Sequence, residues 1–202
     1  MSVSSKLRSN PCQPTKIPET INLPPNINTP IPCTSVSDDF NLKTLARQWQ
    51  WNHNPIPGCY SLTARPGWLR LTTGHLSRSL SEARNTLTQR SFGPKCTGAT
   101  MLDVTHMKNG DYAGLAALQD QYGLVGIKMV SGKKYVIMSK APDTGNKATG
   151  VGQYELGIPE TEIESIPLEA NQIYIKLEFL FEDGMKLLDE ASFYYSLYRF
   201  QI

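Results

Sequence analysis

Residues Ile173–Phe181 read IYIKLEFLF and carry the clearest structural signal in the chain. From Ile173 to Phe179, apolar side chains alternate with Tyr174, Lys176 and Glu178. Successive side chains of a β-strand point to opposite faces. The pattern therefore predicts an antiparallel strand with one face against a core and the other mixed.

Similar short runs continue outward from this stretch. Tyr60–Ala64 and Trp68–Thr72 flank the turn sequence Arg65-Pro66-Gly67, which predicts a hairpin. Further strands are predicted at Thr86–Phe92, Ala99–Val104, Ala113–Gln119, Leu124–Val130, Lys134–Ser139 and Ala191–Leu197. The best helix candidate is His75–Asn85. About ten short strands with almost no helix predict an all-β fold, an antiparallel sandwich or a barrel.

The first 37 residues differ in amino-acid composition from the rest of the chain. They hold seven of the 14 prolines, interleaved with Asn, Thr and Ser, and no aromatic residue. Proline removes amide donors and biases its predecessor to extended backbone. We therefore predict a Pro-rich linker or extended arm over residues 1–37 and a folded domain over residues 38–202.

Composition excludes some partners. The net charge is +2, and the 20 Lys and Arg residues are scattered, so a nucleic-acid or anionic membrane partner is not expected. No apolar run is long enough to span a membrane. The N-terminal residues lack the apolar stretch of a secretory signal, and both a cytoplasmic and a secreted parent protein stay open.

The four cysteines give no zinc motif. Cys12, Cys33, Cys59 and Cys96 form no CxxC pair. Their wide spacing favours free thiols over a disulfide framework, and the pairing stays open.

Catalytic signatures are missing from the sequence as well. No GxSxG elbow is present, and His53, His75 and His106 lie far apart along the chain. Most acidic residues fall in turns or on polar strand positions, where solvation is their ordinary role. A pair of carboxylates placed across a cleft stays open at this point.

The stretch WQWNHNP, residues 49–55, allows two interpretations. Indole and phenol rings stack on sugars, and neighbouring amides bind hydroxyls. Two tryptophans on one strand face are more typical of a core or an interface. The candidates for carbohydrate binding or for an interface are Trp49, Trp51, Trp68 and Tyr122. Asn52, His53 and Asn54 are expected to hold the following turn through side-chain to backbone hydrogen bonds.

Asp38 and Asp39 form an acidic pair just before the first predicted strand. Carboxylate oxygens are calcium ligands, so the pair is a candidate for a structural calcium site. The alternative is a charged, solvated entry to the domain.

Several longer motifs together resemble a known family. They are DDF, WQWNHNP, SLTARPGWLRLTT, ARNTLTQRSFGP, GDYAGLAALQDQYGLVGIK and ASFYYS, in the family's order across residues 38–197. The chain resembles the C-terminal concanavalin A-like domain of glycoside hydrolase family 43, the β-xylosidase and α-L-arabinofuranosidase group. The resemblance implies a jelly-roll β-sandwich. Residues 17–37 resemble the connector that precedes it.

The resemblance also implies a function. The family's catalytic unit is a separate N-terminal five-bladed propeller, too large to fit here beside a sandwich. The expected role is therefore a non-catalytic accessory domain that supports this propeller in the same chain and helps close its substrate pocket. The alternative is an independent carbohydrate-binding module for xylan or arabinoxylan. Family members continue past ASFYYS, so we expect a sandwich that is incomplete at its C-terminus, with exposed sheet edges.

Overall fold

A computed structural model describes residues 37–119, 121–141, 160–184 and 186–200. The predicted arm, with Cys12 and Cys33, lies outside the described residues except for Ser37. The described part contains eleven strands, one 3₁₀ turn at Leu80–Glu82 and no α-helix. Within it, no helix is long and apolar enough to cross a membrane.

The strands differ greatly in length, from two to twelve residues. In chain order they are β1 Gln50–Trp51, β2 Tyr60–Ser61, β3 Arg70–Leu71, β4 Leu87–Thr88, β5 Lys95–Asp103, β6 Tyr112–Ala117, β7 Gly123–Val130, β8 Lys133–Lys140, β9 Thr161–Leu168, β10 Gln172–Asp183 and β11 Lys186–Ser196.

The long strands form two antiparallel sheets. One has three strands in the order β11-β10-β5, and the other has four in the order β6-β7-β8-β9. The short strands pair separately, β1 with β4 and β2 with β3. The strand order places β5 and β11 at the edges of the three-stranded sheet.

The core lies between these two sheets, and β10 is its centre. Ile173 and Ile175 are 0% exposed and Leu177 is 2% exposed. The two isoleucines belong to one cluster with Val125 and Ile127 of β7. Tyr174 and Lys176 lie on the opposite, partly exposed face of β10. The alternation in IYIKLEFLF therefore predicted the buried face correctly, and the β-sandwich is confirmed.

A second, smaller cluster lies on the other face of the four-stranded sheet. It contains Tyr122, Leu124 and Ala141, with Leu80 of the 3₁₀ turn packed against it. The segment around Leu80 therefore covers part of the face that points away from the main core.

The strands predicted at Tyr60–Ala64, Trp68–Thr72 and Thr86–Phe92 are shorter in the structure, two residues each in β2, β3 and β4. Two further elements differ. The helix predicted at His75–Asn85 is wrong, since only Leu80–Glu82 coils there, as a 3₁₀ turn. Strand β9 was not predicted, because its sequence TEIESIPL carries two glutamates and a proline. It is an edge strand of the four-stranded sheet, and an edge position accommodates both charge and proline.

Candidate functional site

Trp49 is bound to the segment by which the described chain enters the domain. Its indole Nε1 donates to Asp38 Oδ2 at 2.7 Å, and the backbone N–H of Phe40 donates to Asp38 Oδ1 at 2.8 Å. The rings of Phe40 and Trp49 stack with centroids 5.5 Å apart. Asp38 thus links the entry segment to WQWNHNP through both of its carboxylate oxygens.

This geometry bears on the calcium hypothesis. Both Asp38 oxygens already accept protein hydrogen bonds. Within the residues that the structure describes, no group of three or more His, Cys, Asp or Glu side chains could hold a metal ion. The arrangement fits a structural entry cap better than a cation site, and calcium binding by Asp38 and Asp39 stays a prediction.

Trp51 and Tyr60 form a tilted aromatic pair with centroids 4.8 Å apart. Tyr60 is 37% exposed and is paired across the hairpin with Leu71, which is 45% exposed. Tyr60 also lines an open cleft of about 380 Å³ together with Lys43, Pro57, Gly58 and residues 61–63. Trp51 therefore lies at a partly exposed apolar surface.

Trp68 is covered by a cation. The Arg65 guanidinium lies 3.8 Å from the centre of its ring, a cation–π contact. Arg65 Nη1 also donates to Asp103 Oδ2 at 2.7 Å, while Thr105 donates twice to Asp103 Oδ1. The Thr105 hydroxyl, followed by Arg65, holds the pKa of the Asp103 carboxyl well below its ordinary value.

We expect Asp103→Asn to lower the free energy of unfolding by about 1–2 kcal/mol at pH 7, with solvent around Arg65 limiting the loss. The folded pKa of Asp103 lies below the unfolded one, so its contribution is complete above about pH 4. It is lost as the pH falls further. Denaturation between pH 7 and pH 2 should show the difference between wild type and variant constant down to about pH 5 and shrinking below about pH 4. Asp39→Asn, at an exposed position, is the control, and an equal loss there would contradict this role.

Tyr122 offers no ring face to solvent. It is 5% exposed, and its hydroxyl donates to Glu160 Oε1 at 3.1 Å. The same oxygen accepts the backbone N–H of Leu80 at 2.6 Å. Burial, then the charge of Glu160, raises the pKa of Tyr122 to about 12. In this structure Tyr122 anchors the 3₁₀ segment to the sheet and does not form a sugar platform.

The three histidines lie on separate segments, and two of them, His53 and His75, form hydrogen bonds within the domain. His53 Nε2 lies 2.6 Å from the backbone oxygen of Ser81, so it bonds to the distant 3₁₀ turn and not to the turn that follows it. His75 contacts Ser77, and His106 is exposed. Cys59 and Cys96, the cysteines in the described residues, are free thiols.

A row of side chains that the sequence analysis did not single out crosses the outer face of the four-stranded sheet. Tyr112 pairs with Lys128, Lys128 with Tyr135, and Tyr135 with Pro167. Directly paired residues point to the same face, and these positions alternate with the core residue Ile127 and its neighbours. We call Tyr112, Lys128, Tyr135 and Pro167 the cross-strand row.

The Tyr112 ring lies over a glycine within this face. A Cβ atom at Gly126 would be only 2.8 Å from Tyr112 Cε2, so the ring rests where a side chain would otherwise stand. Tyr112 is nevertheless 38% exposed. Desolvation, together with the charges of Glu160 and Glu162, raises its pKa above the ordinary value. Beside it, Lys128 Nζ and Glu162 Oε2 form an ion pair at 3.2 Å.

The sequence contained only part of the information needed to predict the cross-strand row. Tyr112, Gly114 and Gly126 stand in GDYAGLAALQDQYGLVGIK, and glycines inside strands indicate close approach of other groups. Their alignment with Lys128 and Tyr135 depends on strand register, and Glu162 lies on the unpredicted β9.

Comparison with known proteins places this domain. A family model described as "Beta xylosidase C-terminal Concanavalin A-like domain" matches residues 37–199. The chain belongs to this family. The chain is 32% identical to a β-xylosidase of Formosa agariphila, over 60% of this chain and 24% of that protein. It is 41% identical to a putative β-xylosidase of Xylanibacter ruminicola, over 39% of this chain and 14% of that protein.

Solved structures agree with this assignment. The chain matches a bifunctional GH43-CE protein from Bacteroides eggerthii with a TM-score of 0.70 and 43% identity, over 84% of this chain and 20% of that one. It also matches an engineered GH43 glycoside hydrolase with endo-xylanase and exo-arabinofuranosidase activity, with a TM-score of 0.64 and 25% identity, over 79% of this chain and 30% of that one. The chain thus spans less than a third of these relatives.

Proposed function

We propose that this chain is the non-catalytic accessory domain of a glycoside hydrolase acting on β-xylosides or arabinosides. It packs against the catalytic domain of the same protein and helps close its substrate pocket. The relatives named as β-xylosidases, of which this domain matches only a part, support this role. The observation that carries it is an exposed apolar surface beside the entry segment.

This surface, here called the entry patch, consists of Leu42, Tyr60, Leu71 and Leu76. They are 63%, 37%, 45% and 92% exposed, respectively. Tyr60 and Leu71 are direct cross-strand partners, and Lys43, next to Leu42, lines the same cleft as Tyr60. Leu76 comes two residues after Gly74. Gly74 lies against the side chain of Cys59, the residue before Tyr60.

Exposed leucines favour a partner with an apolar surface. Burying one such side chain contributes about 1.5–3 kcal/mol, and contiguous exposed apolar patches mark interaction sites. The entry patch adjoins the segment from Asp38 to Lys43, which directly follows the residues that resemble the family's connector from the catalytic domain. A tethered domain reaches this surface at a high effective concentration.

Three of the described carboxylates also favour a non-catalytic role. Asp38, Asp103 and Glu160 each accept at least two hydrogen bonds from protein groups. Groups bound in this way stabilise loops, and they are poorly placed to exchange protons with a substrate.

The test is complementation with the catalytic domain encoded in the same reading frame, expressed separately. We expect this chain to raise the domain's activity on an aryl β-xyloside or its soluble yield. Leu71→Asp combined with Leu76→Asp should reduce the effect at least about tenfold. Val130→Asp, at a residue 41% exposed on β7, is the matched control. Complementation that survives the double change, or pentose release by this chain alone, would contradict the proposal.

The alternative role, an independent xylan-binding or arabinoxylan-binding module, draws less support from its four candidate rings. Trp49 stacks on Phe40, Trp51 forms a tilted pair with Tyr60, and Arg65 covers Trp68. Tyr122 is buried. Each ring has a face engaged within the domain, and together they form no continuous platform.

A further inference from the structure

We propose that two copies of this chain associate through strand β11, which joins their three-stranded sheets into one antiparallel sheet of six strands. The partner is a second copy of the same chain, related to the first by a two-fold axis that passes beside Tyr194. This association uses none of the residues of the entry patch, and it does not depend on the proposed accessory role.

Strand β11 has an unpaired edge within the part of the chain that the structure describes. It is the last strand in the order β11-β10-β5, and its residues pair on one side with β10. The backbone N–H and C=O groups on the other side of an edge strand are available to a further strand. Because β11 spans 11 residues, this edge is long enough to take a partner strand.

The second half of β11 lacks the features by which edge strands avoid such pairing. Residues 191–196 read ASFYYS, without charge, proline or glycine, and aromatic residues favour strands. The other edge strands differ, since β9 carries two glutamates and Pro167, β5 contains Gly98 and β6 contains Gly114. Charge and proline oppose edge pairing, and glycine weakens a strand. Among the described edges, β11 is therefore the one best suited to pairing.

Apolar side chains are exposed along the same half of β11. Tyr195 pairs with the fully buried Ile175, so both side chains lie on the core face, yet Tyr195 is 44% exposed. Tyr194, on the outer face, is 41% exposed, and Leu197 is 52% exposed. A strand placed beside β11 covers these side chains, and removing apolar surface from water favours the association.

Charge complementarity selects the register of the pairing. When a strand pairs antiparallel with its own copy, residues equally far from the axis face each other. Asp189 and Arg199 lie five residues before and five residues after Tyr194, so each faces the other across the axis. Both are exposed, and opposite charges that face each other stabilise a strand pair. The remaining acidic group, Glu190, then faces the uncharged Tyr198, so no like charges oppose each other.

The uncharged side chains fit the same register. Tyr194 faces its own copy, Phe193 faces Tyr195, and the small Ala191 faces Leu197. Aromatic cross-strand pairs are favourable, and every contact away from the axis occurs twice in an isologous dimer. A contact of about seven residues per copy is smaller than a standard interface, so we expect a dissociation constant on the order of 10 µM.

Sedimentation velocity of the full chain, from about 1 to about 200 µM, tests the association. The wild type should show a reversible equilibrium of monomer and dimer. Tyr195→Lys places a charge at the centre of the edge and should leave only monomer over this range. Ile163→Lys is the matched control, because Ile163 is an exposed apolar residue on the edge strand β9; it should dimerise as the wild type does.

Tyr195→Lys also changes the core face, so a charge swap keeps the test independent of folding. Asp189→Lys and Arg199→Glu should each weaken the dimer about tenfold, and the two together should restore it to within about threefold. The two positions are ten residues apart in one chain, roughly 30 Å along an extended strand. Restoration therefore reports a contact between two copies, and a failure of the double variant to dimerise would overturn the register.

A disulfide at the axis provides the sharpest test of the register. Directly opposed residues of antiparallel strands have Cα atoms about 4.5–5.5 Å apart, within the range of a disulfide. Mild oxidation of Tyr194→Cys should link position 194 of both copies, as shown by peptide mass spectrometry. Tyr174→Cys, on the same face of the inner strand β10, is the matched control and should form no such link.

Three results would overturn the proposal. They are a wild-type chain that stays monomeric at the highest concentration, a dimer that tolerates Tyr195→Lys as well as Ile163→Lys, and a dimer that forms no link at position 194. Loss of complementation by the entry-patch variants would leave the dimer unchanged, so this proposal and the accessory role fail separately.

Discussion

Replacing Gly126 by alanine should lower the free energy of unfolding by about 3 kcal/mol. A Cβ atom at this position would lie 2.5 Å from the backbone oxygen of Ala113 and 2.9 Å from the Cα of Gly114. Both are backbone atoms of β6, the neighbouring strand. They can yield only if β6 separates from β7, which would break ladder hydrogen bonds and disturb the core behind Val125.

Gly98→Ala is the matched control for this change. Gly98 is also a glycine inside a long strand, β5, but a Cβ there would meet nothing within 4 Å. Alanine should change the free energy of unfolding by less than about 0.5 kcal/mol or raise it slightly, because it restricts the unfolded chain. Urea denaturation followed by circular dichroism gives both values. Equal losses in the two variants would show that the close approach of β6 and β7 is not the cause.

The long strands could be predicted from the sequence because one face of each is buried. In IYIKLEFLF the alternation of apolar and polar residues matches their burial, since Ile175 faces the core and Lys176 faces the outer surface. Alternation does not predict β9, because this strand lies at the edge of its sheet and most of its residues are not buried. It also fails for Leu80–Glu82, since its apolar residue packs on the sheet from a single 3₁₀ turn. Local pattern cannot distinguish such a turn from a short helix.

Site residues were harder to predict than strands because their roles depend on distant partners. The sequence left Trp49 between carbohydrate binding and an interface, because its bond to Asp38 spans 11 residues. The anchor of Tyr122 on Glu160 spans 38 residues, and nothing near Tyr122 in the sequence indicates it. The cross-strand row depends on the register of four strands, which the sequence leaves undetermined.

Replacing Ile175 by alanine should lower the free energy of unfolding by about 3–4 kcal/mol. Ile175 is 0% exposed at the middle of β10, in the cluster that joins the two sheets. Truncation removes three carbon atoms and leaves a cavity lined by both sheets. β10 is hydrogen-bonded on both sides, to β5 and β11, so its backbone cannot move to fill the space.

Ile163→Ala supplies the comparison with identical chemistry at the surface. Ile163 lies on the edge strand β9 and is 58% exposed, so its truncation should cost less than about 1 kcal/mol. Thermal and urea unfolding of both variants measures the difference. A cost for Ile175→Ala close to that of Ile163→Ala would mean that the two sheets do not share one tightly packed core. A large difference would identify β10 as the strand on which the sandwich, and with it the positions of the entry patch and the cross-strand row, depends.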